Sequence, residues 1–394
     1  LRDGSEKRLS VGEGLPYDRI FSLMQSRDGS IWIGTDDGFA RWRNGEMESF
    51  RSSNGLSQSA VYALFEDSEG GIWAGTKNGL NQFLDGRSIP YTVSEGVPSN
   101  NTGPVLEDRR GVIWVGTVDA GLARFDGRRF RPLPRSALAS KTVRALSSAA
   151  DGSLWVGTAS GLNHLRDGQV VGTYTTADGL PADDSRSIFR GGDGVLWVGT
   201  SAGLMAYRNG KLAAPAGLPR NWSASIRALA EDEKGRLFIA TEAGSLDVLE
   251  NGRLFEFQQG GAPVRDVDAF YRDKDGFLWM GTLGGGLRLL RNGRVFSYYL
   301  HDGLFDNEIY GITADADDRL WMACSKGIFM VPRADLLQRA AGVIRHFESK
   351  PYSPMDGLRT IECKAGVQPS AATMSDGRLW FSTIRGLLVL DPSH

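Results

Sequence analysis

Asp28-Gly-Ser-Ile-Trp-Ile-Gly-Thr35 is a turn that feeds a short strand, with a tryptophan in the middle of the strand and Gly-Thr at its end. The pattern recurs along the whole chain. Trp32, Trp73, Trp114, Trp155, Trp197, Trp279, Trp321 and Trp380 form one series, and Phe238 takes the same role between Trp197 and Trp279. Neighbours stand about 41 residues apart, except for the long step from Trp321 to Trp380. A self-similar period of about 40 to 45 residues marks propeller blades, each a small antiparallel sheet of about four strands. The expected fold is therefore all-β, a single β-propeller over residues 1–394.

The second repeat serves as a template. Ala60 to Phe65 alternates as an inner strand, Ile72 to Thr76 follows it, Leu80 to Phe83 runs back, and Ser88 to Val93 forms an outer strand. Nine Trp/Phe strands predict nine blades, with eight blades plus an irregular unit as the alternative. The two ends of the chain suggest how the ring closes. Glu6 to Leu9 reads as an outer strand with no blade of its own, and Leu387 to Leu390 as a third strand without a fourth. An N-terminal strand that completes the last blade would remove two open sheet edges. A helix-containing insertion is expected at about 332–368, with Arg333 to Ala341 as a short helix closed by Gly342.

Composition narrows the function classes. With 394 residues, Lys+Arg 45 and Asp+Glu 47, the formal charge is −2 and no basic block stands out, so nucleic acid is not expected as a partner. No run of 18 apolar residues is present to cross a membrane. The chain begins at Leu1 without methionine or signal peptide, and is expected to be an excised or processed fragment. The 51 glycines and ten tryptophans are absorbed by the repeat.

Asp67, Asp108, Asp232, Asp273 and Asp315 each precede a turn, and are expected to accept hydrogen bonds from the backbone of their own hairpins rather than to bind calcium. The four histidines are scattered, and there is no nucleophile elbow, phosphate loop or dinucleotide fingerprint. No metal, cofactor or catalytic residue is assigned. Polar and aromatic residues that do not repeat gather instead in the loops before each inner strand, which in a propeller surround one mouth of the channel. The candidate ligand-binding residues are Tyr17, Arg19, Asn100, Asn101, Asp183, Asp184, Arg186, Trp222, Arg265, Asp266, Asn307, Glu308 and Glu362. Such a rim suits a small polar molecule or an oligosaccharide. Cys324, at the rim end of a strand, and Cys363, ahead of the next inner strand, could approach each other, but a disulfide requires strict geometry.

Asp-Gly-x-Leu/Ile-Trp-x-Gly-Thr-x-x-Gly-Leu, repeated over nearly all of the chain, resembles the two-component regulator propeller repeat. Asp302 to Ile312, Met355 to Cys363, Asp376 to Leu387 and Val389 to Pro392 look like that family's last two repeats. The resemblance implies a periplasmic sensing domain of a bacterial membrane receptor. It also implies a C-terminal β-sandwich, a transmembrane helix and a cytoplasmic histidine kinase or diguanylate cyclase. Signal transfer would need a differential affinity between two receptor arrangements, expected to be two states of a homodimer. Familiar members carry seven-bladed rings, often in pairs, and nine units depart from that. Two other readings stay open: a lyase or glycosidase using Asp183, Asp184, Glu308 or Glu362, and a protein-interaction platform.

Overall fold

The computed structural model describes residues 9–27, 29–43, 45–50, 60–66, 71–76, 79–84, 88–134, 136–352 and 362–392. Nine blade-like sheets are present among them, together with a two-residue hairpin pairing Gln258–Gln259 with Ala262–Pro263. The all-β expectation holds, and the nine sheets correspond to the nine repeats. They are numbered here in chain order.

The repeat pattern explains itself in contacts. Asp108, Asp273 and Asp315 each turn one carboxylate oxygen to two backbone N–H groups of their own hairpin. The other oxygen accepts the indole N–H six residues on, at 2.8 Å from Trp114, 2.9 Å from Trp279 and 2.6 Å from Trp321. Asp232 binds its hairpin in the same way, whereas Asp67 lies outside the described residues. Glycine is required before the threonine because the next inner strand passes close by. A Cβ on Gly199 would sit 2.6 Å from Ile226 Cγ2. The threonine then closes the following turn, Thr158 Oγ1 donating to the Gly161 carbonyl at 2.8 Å.

The chain divides into two compact units, residues 1–89 with 353–359, and residues 90–352 with 360–394. The smaller unit holds sheet one, Ile20–Gln25, Ile31–Thr35, Gly38–Arg43 and Glu46–Phe50, and sheet two, Val61–Glu66, Gly71–Thr76 and Gly79–Leu84. Sheet two has three strands among the described residues.

The larger unit holds sheets three to nine. Their inner strands are Thr102–Glu107, Val143–Ser148, Ser185–Arg190, Ile226–Glu231, Val267–Arg272, Gly311–Ala314 and Ala371–Thr373. Each packs beside the next, and the last packs beside the first, so seven sheets close a ring. Thr102 Oγ1 fastens the closure by donating to the carbonyls of Thr383 and Gly386, at 2.9 and 3.0 Å.

Closure differs from the expected latch. The fourth strand of sheet nine is Ser88–Tyr91, the segment expected to finish sheet two. Tyr91 is buried and stacks on Trp380, ring centroids 5.3 Å apart at 13°, with Phe125 and Phe130 edge-on to it. This aromatic packing is the physical reason the strand goes there. Residues 6–8 of the expected N-terminal latch lie outside the described residues. The single nine-bladed ring is thereby corrected to a closed seven-sheet ring plus two further sheets. The helix expected from the sequence is α1, Arg333–Ala340, following sheet eight's strand Gly327–Pro332.

Candidate functional site

Each inner strand of sheets four to seven carries a β-bulge at its second residue, where the register to the neighbouring strand slips. The bulged residues are Arg144, Arg186, Arg227 and Asp268. A bulge re-aims one side chain without breaking the strand, and here four successive strands use it to present a charge. These charges are joined through carboxylates of the adjoining loops. Asp184 lies 3.2 Å from Arg144 and 3.6 Å from Arg186. Glu242 lies 3.5 Å from Arg186 and 2.8 Å from Arg227. Arg227 then reaches Asp268 at 3.2 Å. Three guanidinium groups alternate with three carboxylates around part of the ring.

Burial shapes this ladder. The Asp268 carboxyl is almost completely enclosed, and desolvation pushes it up to about 6 against the pull of Arg227. Arg227 Nε is buried with no hydrogen-bond partner among the described residues, as is Gln368 Oε1.

Gln368 belongs to a segment that runs inside the ring. Cys363 pairs with Thr383 of sheet nine, and Lys364 Nζ donates to Asn101 Oδ1 at 3.1 Å. Gly366 N donates to Asp268 Oδ2 at 3.3 Å, and Gln368 Nε2 to the Leu229 carbonyl at 2.8 Å. The backbone of Gln368 exchanges bonds with Arg144 and Leu146, and the Pro369 carbonyl accepts from Val105. Sheets four, six and seven are not neighbours of sheet nine, so this path crosses the space that the inner strands enclose.

The rim residues expected from the sequence separate into two groups. Asp184 and Arg186 stand in the ladder, Asn101 meets the crossing segment, and Glu308 accepts from Tyr310 Oη at 2.6 Å. That bond and burial hold the Tyr310 phenol protonated well above its usual range. Asn100, Asp183 and Asn307 instead accept from the backbone of Val93, Thr176 and Leu300, seven residues earlier, and so shape their own loops. Trp222 is half-buried against Leu204 and Leu229, and its indole donates to Asp247, so it is not an open stacking surface. Arg265 pairs with Glu256 at 3.2 Å, while exposed Asp266 takes a positive φ of 56° and bonds through its backbone to Gly244. Glu362 is exposed, with its carbonyl accepting from Ile384. Tyr17 and Arg19 belong to the smaller unit, where Arg19 lies over the Phe21 ring.

Sequence reading passed over Arg144, Arg227, Glu242 and Asp268. A signal was present: Arg144, Arg186, Arg227 and Asp268 recur at the repeat period inside otherwise apolar strands.

A separate groove of about 440 Å³ lies between sheets four and five, lined by Asp151, Ser153, Trp155, His164, Arg190 and Tyr207 among others. His164 stacks flat on Trp155 at 4.1 Å, and its Nε2 lies 2.7 Å from Ser153 Oγ. Ser153 donates to Asp151 at 2.6 Å. That order is wrong for a nucleophile, because the serine hydroxyl donates to the carboxylate instead of to the imidazole. Burial depresses the His164 basicity further. No group of His, Cys, Asp and Glu fit to hold a metal ion occurs among the described residues.

Seven sheets arranged in a closed ring define a β-propeller. Residues 14–37, 55–78, 179–202 and 261–284 match the two component regulator propeller. Similar solved structures include the extracellular domain of a putative hybrid two component system from B. thetaiotaomicron. It has a TM-score of 0.68 and 21% identity, over 95% of this chain and 51% of that one. The extracellular domain of a second such putative system from the same organism gives 0.59 and 17%, over 95% and 53%. Virginiamycin B lyase from Staphylococcus aureus gives 0.55 and 16%, over 77% and 97%. At these identities the likeness establishes the fold, and the chain spans about half the length of the two extracellular domains. No curated protein matches. No helix among the described residues is long and apolar enough to cross a membrane.

Proposed function

We propose that the chain is an extracytoplasmic sensing domain of a bacterial signalling receptor, in which the seven-sheet ring binds a small polar molecule or oligosaccharide without transforming it. The observation that carries this reading is the ladder of Arg144, Asp184, Arg186, Glu242, Arg227 and Asp268. A scaffold that repeats its apolar contacts and presents charged side chains at its bulged inner positions suits recognition by hydrogen bonds. Likeness in fold to extracellular domains of two-component systems supports the sensing role and a compartment outside the cytoplasm. Binding would have to favour one arrangement of the receptor over another to carry a signal, for which two dimer states are the simplest form.

A lyase relative in the same fold makes an enzyme the second reading. Against it stands the disposition of the charges: each ladder carboxylate is engaged by an arginine, which leaves no evident base. A thermal-shift screen with polar metabolites and oligosaccharides tests the proposal. A stabilising compound should lose its effect in Arg186→Ala and Asp184→Ala, each measured against its own unliganded midpoint. Turnover of a sugar by the wild-type chain, or a hit indifferent to both substitutions, would overturn the reading.

A further inference from the structure

The chain contains two cysteines, Cys324 at the end of strand Arg319–Cys324 and Cys363 at the start of the segment that crosses the ring. Both are buried thiols. The backbone N–H of Cys363 donates to the carbonyl of Cys324 at 3.2 Å. A direct backbone N–H···O bond between the two residues brings their backbones into the close approach that a disulfide, with Cα atoms about 4.4–6.8 Å apart, requires. The side chains converge as well. Cys324 Sγ accepts from the backbone N–H groups of Lys326 and Gly327, and Cys363 Sγ donates to the carbonyl of Gly327 at 3.6 Å. Two sulfurs that bind the same residue of one tight turn lie in each other's immediate surroundings.

We propose that Cys324 and Cys363 are a disulfide site, oxidised to a single Sγ–Sγ bond when the chain folds in contact with a disulfide oxidant. The balance is that of thiol–disulfide exchange. Each thiol gives up its proton, one S–S bond forms within the chain, and the two electrons reduce one external disulfide to two thiols. Timing follows from burial. In the folded chain desolvation pushes the Cys324 thiol up to about 12 and the Cys363 thiol further in the same direction, so little thiolate is present to attack. The bond is therefore made before the segment is enclosed. Once made, it ties the first residue of the crossing segment to sheet eight, while the Val105–Pro369 bond ties the far end to sheet three.

The test refolds the full chain from denaturant, either with a reduced and oxidised glutathione mixture or with excess dithiothreitol. After oxidative refolding and a second unfolding without reductant, no thiol should titrate. A protease digest should contain one cross-linked pair of peptides, carrying Cys324 and Cys363, that reductant separates. The oxidised chain should melt several degrees above the reduced one, as expected for a constrained loop. That difference should vanish in Cys363→Ser and Cys363→Ala, each of which should titrate one thiol. Two titratable thiols after oxidative refolding of wild-type protein, or a disulfide joining two chains instead, would overturn the proposal. Neither result bears on whether a ligand binds the ladder.

Discussion

Asp273 holds Trp279 and Arg333 with one and the same oxygen. The indole N–H donates to Oδ2 at 2.9 Å and the guanidinium Nε–H at 2.8 Å. Arg333 is itself buried, at 4% exposure, and begins helix α1, so a hairpin aspartate that serves one blade elsewhere here also seats the excursion after sheet eight. Arg333 also pairs with Asp275 and Asp318, so loss of Asp273 removes charge-assisted hydrogen bonds without stranding the guanidinium, at about 1.5–3 kcal/mol. Asp273→Ala should lose stability of that order in urea unfolding. Asp273→Asn, which keeps one acceptor, should lose distinctly less, and a negligible loss in Asp273→Ala would show that the carboxylate is not seating Arg333.

Sheet nine provides the contrast. Met374 stands where sheets three, six, seven and eight have aspartate, and Trp380 Nε1 is buried without a hydrogen-bond partner among the described residues. Trp→Phe removes similar volume at either place but a hydrogen bond only at one. Trp279→Phe should therefore be more destabilising than Trp380→Phe by about 1 kcal/mol, the net worth of such a bond. Equal losses in paired denaturation curves would contradict the assigned indole bond.

The strand exchange that closes the ring can be tested by residue. Tyr91→Ala should cost about 3 kcal/mol or more, since the ring is buried among Trp380, Phe125 and Phe130. Deleting residues 1–15 should leave the main unfolding transition of the larger unit in place. Loss of that transition on the deletion, with Tyr91→Ala tolerated, would restore the N-terminal latch.

Asp268 predicts a pH dependence whose sign is fixed by the direction of its shift. Its folded value, about 6, lies above the ordinary value of 3.8. Protonation therefore favours the folded chain. The stabilisation is fully present below about pH 4, declines as the pH rises toward 6, and is gone above it, a span of about 3 kcal/mol. Asp268→Asn should flatten the melting-temperature profile between pH 4 and 6 relative to wild type. Parallel profiles would mean that Arg227 and the Gly366 N–H already hold the carboxylate ionised.

The blade scaffold was legible in the sequence because it depends on local chemistry. An aspartate three residues before a glycine, a tryptophan six residues after that aspartate, and a Gly-Thr ending are all satisfied within one hairpin or its immediate neighbour. Which sheet an outer strand joins is decided elsewhere. Ser88–Tyr91 has the outer-strand pattern whether it turns back on sheet two or crosses to sheet nine, and Trp380, nearly 300 residues away, decides. The site was half legible for a similar reason. Asp184 lies in a loop that looks variable and Arg186 stands just behind it, whereas Arg227 and Asp268, at the same second position of their strands, are re-aimed only by a bulge that has no local sequence mark. Asn100, Asp183 and Asn307 drew attention as rim residues although each is occupied with a backbone N–H seven positions back. That constraint repeats from loop to loop and marks them as scaffold.

A ring of repeats is ordinarily a relay, in which a displacement passes from each blade only to the next. The segment from Cys363 to Pro369 changes that wiring. Through Gln368 and Gly366 it is bonded at once to sheets four, six and seven, and through its ends to sheets three, eight and nine. It acts as a spoke: moving Gly366 away from Asp268 would disturb blades on opposite arcs in a single step, without travelling round the circumference. Stiffness against ovalisation, and the ability to report a local push to the far side, would then reside in seven residues that belong to no blade.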